Sequence, residues 1–195
     1  MKPAGPLAVP VIRQARADEM RAEVMVTCAG DGAGACLVGA FVGPRRGRDM
    51  TLPTTVRLVS MPGDRDAAAR AVFTEPAYWT PELPNLYRLE AEVRHGDQVV
   101  AVIDRVVGLR RLGVRGRSFW LDGRRFVPRG VTTATVGFDP APVRHAAAAA
   151  VLRDPDTDVL SAADRSGTAI VARFEEDRKS TRLNSSHEWI SRMPS

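Results

Sequence analysis

Three groups of side chains in this sequence could do chemistry. Glu175 and Glu176 are adjacent carboxylates, the residue type that serves as general acid, base or nucleophile when two of them face one reacting centre. Neighbouring residues of a strand point to opposite faces, so this pair reads as a solvated strand exit. Cys28 and Cys36 flank the Gly-rich stretch AGDGAGA, at positions that alternation points inward on two neighbouring strands. They read as buried thiols, with a cross-strand disulfide as the alternative. With His95, His145 and His187 elsewhere, no ligand spacing for a metal arises. No metal and no cofactor is expected.

The elements that must position these groups change character along the chain. From Val9 to Val107 the dominant period is two: Ala22, Val24, Val26 and Cys28 share one face, and Tyr87, Leu89, Ala91 and Val93 alternate with Arg88, Glu90, Glu92 and Arg94. Those are half-buried strands, with Val24, Val26, Leu89, Ala91 and Val93 inside. Turn chemistry separates them at the loop after Cys28, at Gly43-Pro44 with RRGR, at Met61-Pro62-Gly63-Asp64 and at His95-Gly96-Asp97. Such spacing predicts an antiparallel β-sandwich of immunoglobulin-like size. The stretch from Asp64 to Asn85 is expected to cross extended, because Pro76, Pro81 and Pro84 oppose a helix.

After Arg110 the pattern differs. Ser118 to Leu121 and Arg124 to Val127 predict a hairpin, with Asp122-Gly123 supplying the positive φ angles of a type I′ turn. Asp139 caps a predicted helix entered at Pro140 or Pro142, which runs through His145 and five alanines to Arg153. A short helix is expected over Val159 to Arg165, closed by Gly167. The apolar run from Ala169 to Phe174 predicts a strand covered on both faces. Only Asp156 to Leu160 is left for a strand between the two helices.

Phe73 to Val131 carries an ordered set of anchors: Trp79-Thr80-Pro81-Glu82-Leu83-Pro84-Asn85-Leu86-Tyr87, then Gly108-Leu109-Arg110, then Phe119-Trp120-Leu121-Asp122-Gly123, then Arg129-Gly130-Val131. Over some 59 residues this resembles the junction of glycoside hydrolase family 2, the family of β-galactosidases, β-mannosidases and β-glucuronidases. The resemblance implies a mainly β chain: an immunoglobulin-like sandwich followed by a truncated β/α segment, the first units of a TIM barrel. The implied divisions are an N-terminal segment (1–8), the sandwich (9–112), the hairpin and first β/α units (113–177) and a disordered tail (178–195).

What the resemblance implies chemically is retaining hydrolysis of β-linked sugars by two glutamates about 5 to 5.5 Å apart. Both come from later strands of a barrel of roughly 250 residues, so no catalytic residue is expected in this chain. The chain alone is expected to be inactive, and a β-linked carbohydrate is the partner of the parent enzyme. After Arg-Gly-Val the family continues with Asn and His near the sugar, whereas Thr132, Thr133 and Ala134 stand here, which leaves the sugar class open. An amino-terminal sugar-binding sandwich usual in the family is not seen. Trp79 and Trp120 are expected to pack rather than to stack on a sugar. Arg110 and Arg129 are expected to tie the two domains, with Arg129 the one candidate substrate-binding residue. A freestanding β-sandwich interaction or carbohydrate-binding module is the competing function; it would not need a parallel-type strand after Phe119.

Composition sets the remaining bounds. At 195 residues, 44% hydrophobic and 26% charged, the chain can bury a substantial core. No apolar run reaches the roughly 18 residues that span a bilayer, so no membrane partner is expected. Of the net charge of +5, Arg178, Lys179, Arg182 and Arg192 against Glu188 supply +3; the rest holds 24 basic and 22 acidic residues. That near-neutral body argues against nucleic acid. Residues 1–177 contain one lysine, Lys2, and four serines, whereas residues 178–195 bring five serines. The tail RKSTRLNSSHEWISRMPS resembles adapter-derived sequence, so His187, Glu188 and Trp189 are not offered as a site. No signal peptide is visible, which slightly favours a cytoplasmic location.

Overall fold

The structure is a computed structural model that describes residues 9–29, 35–46, 49–61 and 66–174. Eight strands build its first part: β1 (Val11–Ala17), β2 (Arg21–Ala29), β3 (Ala35–Arg46), β4 (Asp49–Arg57), β5 (Val59–Met61), β6 (Asp66–Thr74), β7 (Leu86–His95) and β8 (Gln98–Val107). They form two antiparallel four-stranded sheets, ordered β1-β2-β6-β5 and β4-β3-β7-β8. That is the A-B-E-D against C′-C-F-G arrangement of an immunoglobulin-like sandwich. The period-two face of each strand becomes the space between the sheets: Val24, Val26, Leu89 and Val93 are fully buried and Ala91 nearly so. Phe73 stands between Phe41 and Tyr87 in edge-to-face contacts at 5.3 and 5.0 Å, the arrangement that ring quadrupoles favour.

Tyr87, near the start of β7, is buried and its Oη accepts from Ala77 N at 2.9 Å. It holds the crossing segment as the tyrosine corner of such sandwiches does. Tyr78 donates its hydroxyl to Asp18 O at 2.6 Å, and burial pushes its phenol up to about 12 and that of Tyr87 up as well. The unfolded chain would ionise both near 10, so stability is complete below that pH and is lost as pH rises from 10 toward 12. Alkaline titration should therefore show phenolate absorbance rising together with unfolding; a separate tyrosine step near pH 10 in the folded chain would refute it.

Two expectations change here. The stretch from Asp64 to Asn85 does not simply cross, because β6 occupies its first half and pairs with β2 and β5. Its inward residues are Ala67, Ala69, Ala71 and Phe73, all buried; alanine is a weak strand former, so the alternation carried little signal. Only residues 75–85, with the three prolines, remain outside regular structure. The cysteines do not sit on neighbouring strands either. β2 and β3 belong to opposite sheets, and since Leu37 and Phe41 face inward, Cys36 falls on the outer side of β3. Cys28 is buried, Cys36 is half-buried, and no disulfide joins them. Residues 1–8, the loop interior between the cysteines, Gly47-Arg48 and the turn at 62–65 lie outside the described residues.

The second part begins with β9 (Leu112–Arg115), β10 (Ser118–Leu121) and β11 (Arg124–Phe126), an antiparallel ribbon ordered β11-β10-β9. Asp122 (φ 49°) and Gly123 (φ 76°) make the predicted turn. Then β12 (Gly130–Thr132), α1 (Pro140–His145), β13 (Ala149–Arg153), α2 (Thr157–Ser166) and β14 (Ala169–Arg173) alternate, and the three strands form a parallel sheet in chain order.

Asp139 caps α1 as expected, accepting from Ala141 N at 2.9 Å, but the helix does not reach Arg153. It closes at Ala146, Ala147 turns to φ 48°, and the last alanines enter β13. Ala149 and Ala150 are buried between flanking strands. A Cβ added to Gly130 would lie 2.9 Å from Ala149 O, so small residues on these strands permit close approach, and burial outweighs alanine's helix propensity. The intervening strand therefore lies before Asp156, which instead caps α2 through Val159 N at 2.8 Å. Asp156→Ala should cost about 1 kcal/mol in chemical denaturation; an unchanged midpoint would show that the cap is idle. At the sheet's edge, β14 is half-buried rather than covered on both faces.

Candidate functional site at the sandwich–parallel sheet junction

The junction is built from the crossing segment, the end of β8 and the last turn of α2. Pro76, Pro81 and Pro84 keep residues 75–85 out of helix, and the segment is fixed by Trp79 N donating to Leu109 O at 2.7 Å and buried Asn85 donating Nδ2–H to Tyr78 O at 3.0 Å. Trp79 is thereby turned inward, 3% exposed, with its indole N–H on Asp164 O at 2.9 Å. A Cβ on Gly108 would come within 3.0 Å of the indole, so glycine lets the ring lie flat against the chain.

Arg110 closes the joint. Its guanidinium lies 4.3 Å from the Trp79 ring centroid and donates to Asp164 Oδ1 at 2.5 Å. Gln14 of β1 clamps the Arg110 backbone from both sides, donating to its carbonyl at 2.6 Å and accepting from its N–H at 2.9 Å. Both charged partners are largely shielded, which strengthens the charge-assisted bond relative to a surface pair. Arg110→Ala and Asp164→Ala should show a coupling of about 1–3 kcal/mol in a double-mutant cycle by urea unfolding; purely additive losses would refute the pair.

Gly167 ends α2 at φ 75°, and a Cβ there would sit 2.5 Å from Pro81 O. Gly167→Ala combines left-handed strain with a backbone clash, so a loss of about 2 kcal/mol or more is expected in melting experiments. A loss of only a few tenths would mean that α2 and the crossing segment do not touch.

Beside these contacts lies an apolar cavity of about 330 Å³, lined by Ile12, Val24, Trp79, Leu109, Leu160 and Ile170 among others. Of its polar lining, Asp164 is bound by Arg110 and the Thr168 hydroxyl donates to Pro140 O. Among the described residues no group of three or more His, Cys, Asp or Glu could hold a metal ion. The arrangement is a mechanical joint, in which polar contacts orient the parallel sheet against the sandwich.

The proposed residues separate accordingly. Trp79 and Arg110 meet in the joint, and Trp79 packs. Trp120 is half-buried on the ribbon beneath Arg115, 4.6 Å from its ring centroid. Arg129 does not tie the two parts together. It is exposed before β12, at the amino end of the parallel strands, and contributes a backbone carbonyl to Ala149 N at 2.7 Å. Glu175, Glu176, His187, Glu188 and Trp189 lie outside the described residues. Asp164 and Gln14 were not singled out from the sequence; each looks like an ordinary polar position on its own element. Gly167 carried a signal, as the helix stop, but not its contact with Pro81.

Relatives share this architecture. The model of glycosyl hydrolases family 2 matches residues 12–110. A β-galactosidase of Streptococcus thermophilus is 42% identical over 53 residues, which is 27% of this chain and 5% of that protein. Among solved structures, Bifidobacterium dentium β-glucuronidase complexed with coumarin-3-O-glucuronide superposes with a TM-score of 0.65 at 16% identity, covering 88% of this chain and 31% of that one. A β-glycosidase from Bacteroides vulgatus gives 0.62 at 13% identity, covering 83% and 23%. The chain thus spans less than a third of the length of these relatives, and at such identities the structural likeness speaks for the fold alone. The family match takes in just over half of the 195 residues and the whole described sandwich from Ile12 to Arg110, and on that ground the chain belongs to glycosyl hydrolases family 2.

Proposed function

We propose that this chain is the immunoglobulin-like domain and the opening β/α units of the catalytic barrel of a retaining β-glycosidase, without either catalytic glutamate and so inactive by itself. The observation that carries this is the parallel sheet β12-β13-β14, laid down in chain order with α1 and α2 between its strands, directly after the family's sandwich. Strand–helix alternation of this kind is how a (β/α)8 barrel begins. A freestanding binding module would have no use for it.

On this reading the sandwich holds the first barrel strands in orientation through Trp79, Arg110 and Asp164, and a β-linked sugar would bind at the carboxyl ends of the strands. Retaining chemistry needs two carboxyls facing one anomeric carbon, and on this reading both belong to later strands of the barrel. The 195-residue chain should show no turnover of aryl β-glycosides, and a longer polypeptide continuing residues 9–174 into further β/α units should hydrolyse them with retention, read by NMR of the first-formed anomer. Turnover by the 195-residue chain that vanishes in Glu175→Gln or Glu176→Gln would overturn the proposal.

A further inference from the structure

The cavity beside the joint is walled by the sandwich, the ribbon and the β/α units together. Ile12 and Val24 come from the sandwich, Leu121 and Phe126 from the ribbon, and Leu160 and Ile170 from α2 and β14. Packed interiors hold few voids larger than a water molecule. This one measures about 330 Å³, well above the roughly 150 Å³ of an apolar cavity that stays dry and takes up benzene. Clefts of this size between structural units are where small molecules commonly bind.

The polar side chains of the wall are already engaged. Gln14 uses both ends of its amide on the Arg110 backbone, at 2.6 and 2.9 Å. Arg110 donates to Asp164 Oδ1, the Trp79 indole N–H donates to Asp164 O, and the Thr168 hydroxyl donates to Pro140 O at 3.1 Å. A buried water needs two to four polar partners, so the wall holds water poorly. A charged ligand would give up its hydration with no counter-ion free to replace it. What the wall offers is apolar contact with branched aliphatic side chains and with the Trp79 and Phe126 rings, which favour a further ring in offset or edge-to-face contact.

The cavity is also open to entry. Val24, Trp79, Leu109 and Leu160 are buried, whereas Ile12, Leu112, Phe126 and Ile170 are half-buried. The mouth therefore lies between β1, the ribbon and β14, and a small molecule reaches the interior without breaking the contacts of Arg110 with Asp164.

We propose that this cavity binds a neutral, flat aromatic molecule of up to two fused rings, and that the bound molecule stiffens the joint because it touches sandwich, ribbon and parallel sheet at once. A ligand held only by the folded joint stabilises it by mass action. The site stands apart from the glycosidase reading, since neither its chemistry nor its test involves turnover.

The test is a titration of the isotope-labelled 195-residue chain by NMR with naphthalene, and with 1-naphthoate as a charged molecule built on the same rings. Naphthalene is expected to shift the Trp79 indole N–H and the signals of Ile12, Leu109, Leu160 and Ile170, to bind about tenfold or more tighter than naphthoate, and to raise the urea midpoint. Ala163→Leu and, separately, Ile12→Phe put side-chain volume into the cavity and should each weaken naphthalene about tenfold or more, with urea midpoints confirming that each variant folds. Naphthoate binding as tightly as naphthalene, undiminished binding by a folded filling variant, shifts that map away from the lining residues, or no binding at all would overturn the proposal. If neither variant folds, the map of shifts on the unaltered chain decides it.

Discussion

Phe73→Ala should remove about 3–5 kcal/mol of folding free energy, the cost of deleting a large ring from a packed core. Phe73 is 1% exposed and touches aromatic rings on both sides, Phe41 from β3 and Tyr87 from β7. It lies on β6 of the facing sheet, so its ring joins the two sheets. The inward neighbours on the same strand are alanines and cannot move to fill the void. Since a domain of this size has only about 5–15 kcal/mol in total, much of that margin is expected to go. Phe73→Leu should cost less, about 1–2 kcal/mol, because most of the volume stays. Urea unfolding followed by circular dichroism reads both, and a loss under 1 kcal/mol for the alanine variant would show that the sheets are not joined through this ring.

Trp79→Ala should cost a comparable amount, about 3–5 kcal/mol, but with a different distribution. The indole stands inside the joint. It fills the space beside Gly108, donates to Asp164 O and lies under the Arg110 guanidinium. Its removal leaves a buried carbonyl without its side-chain donor and Arg110 without its stacking surface. Hydrogen exchange should therefore accelerate most in residues 149–173, while amides of β3 and β7 keep much of their protection. Trp79→Phe keeps the packing and loses the N–H bond, for about 1–2 kcal/mol. Equal acceleration in the sandwich and in the parallel sheet would mean that Trp79 supports the whole chain rather than the joint.

Much of the sandwich was legible because period-two alternation depends only on which face of a strand meets water. Leu89, Ala91 and Val93 announced their burial from spacing alone, and Asp122-Gly123 announced its turn because few residue pairs adopt two positive φ angles cheaply. Alanine was the consistent source of error. In β6 it hid a strand, and after His145 it suggested a helix where β13 runs. In both places the small side chain is selected by the closeness of neighbouring sheets or strands, a property of the assembled fold and not of the segment.

The joint shows the same division. Trp79, Gly108 and Arg110 stood out as part of a family phrase, yet their partners Gln14 and Asp164 come from two other stretches of the chain, and Asp164 lies 54 residues from Arg110. The cysteines show a related point: succession along the chain is not adjacency, since β2 and β3 lie in opposite sheets. By itself the sequence determined the family, the alternating faces, the caps and the tight turn, because each depends on residues within a few positions of one another. Tertiary structure alone decided which arginine joins the two parts, where the second parallel strand runs, and that Ile12, Phe126 and Ile170 wall one cavity. Those outcomes depend on contacts between distant segments, whose geometry no local pattern encodes.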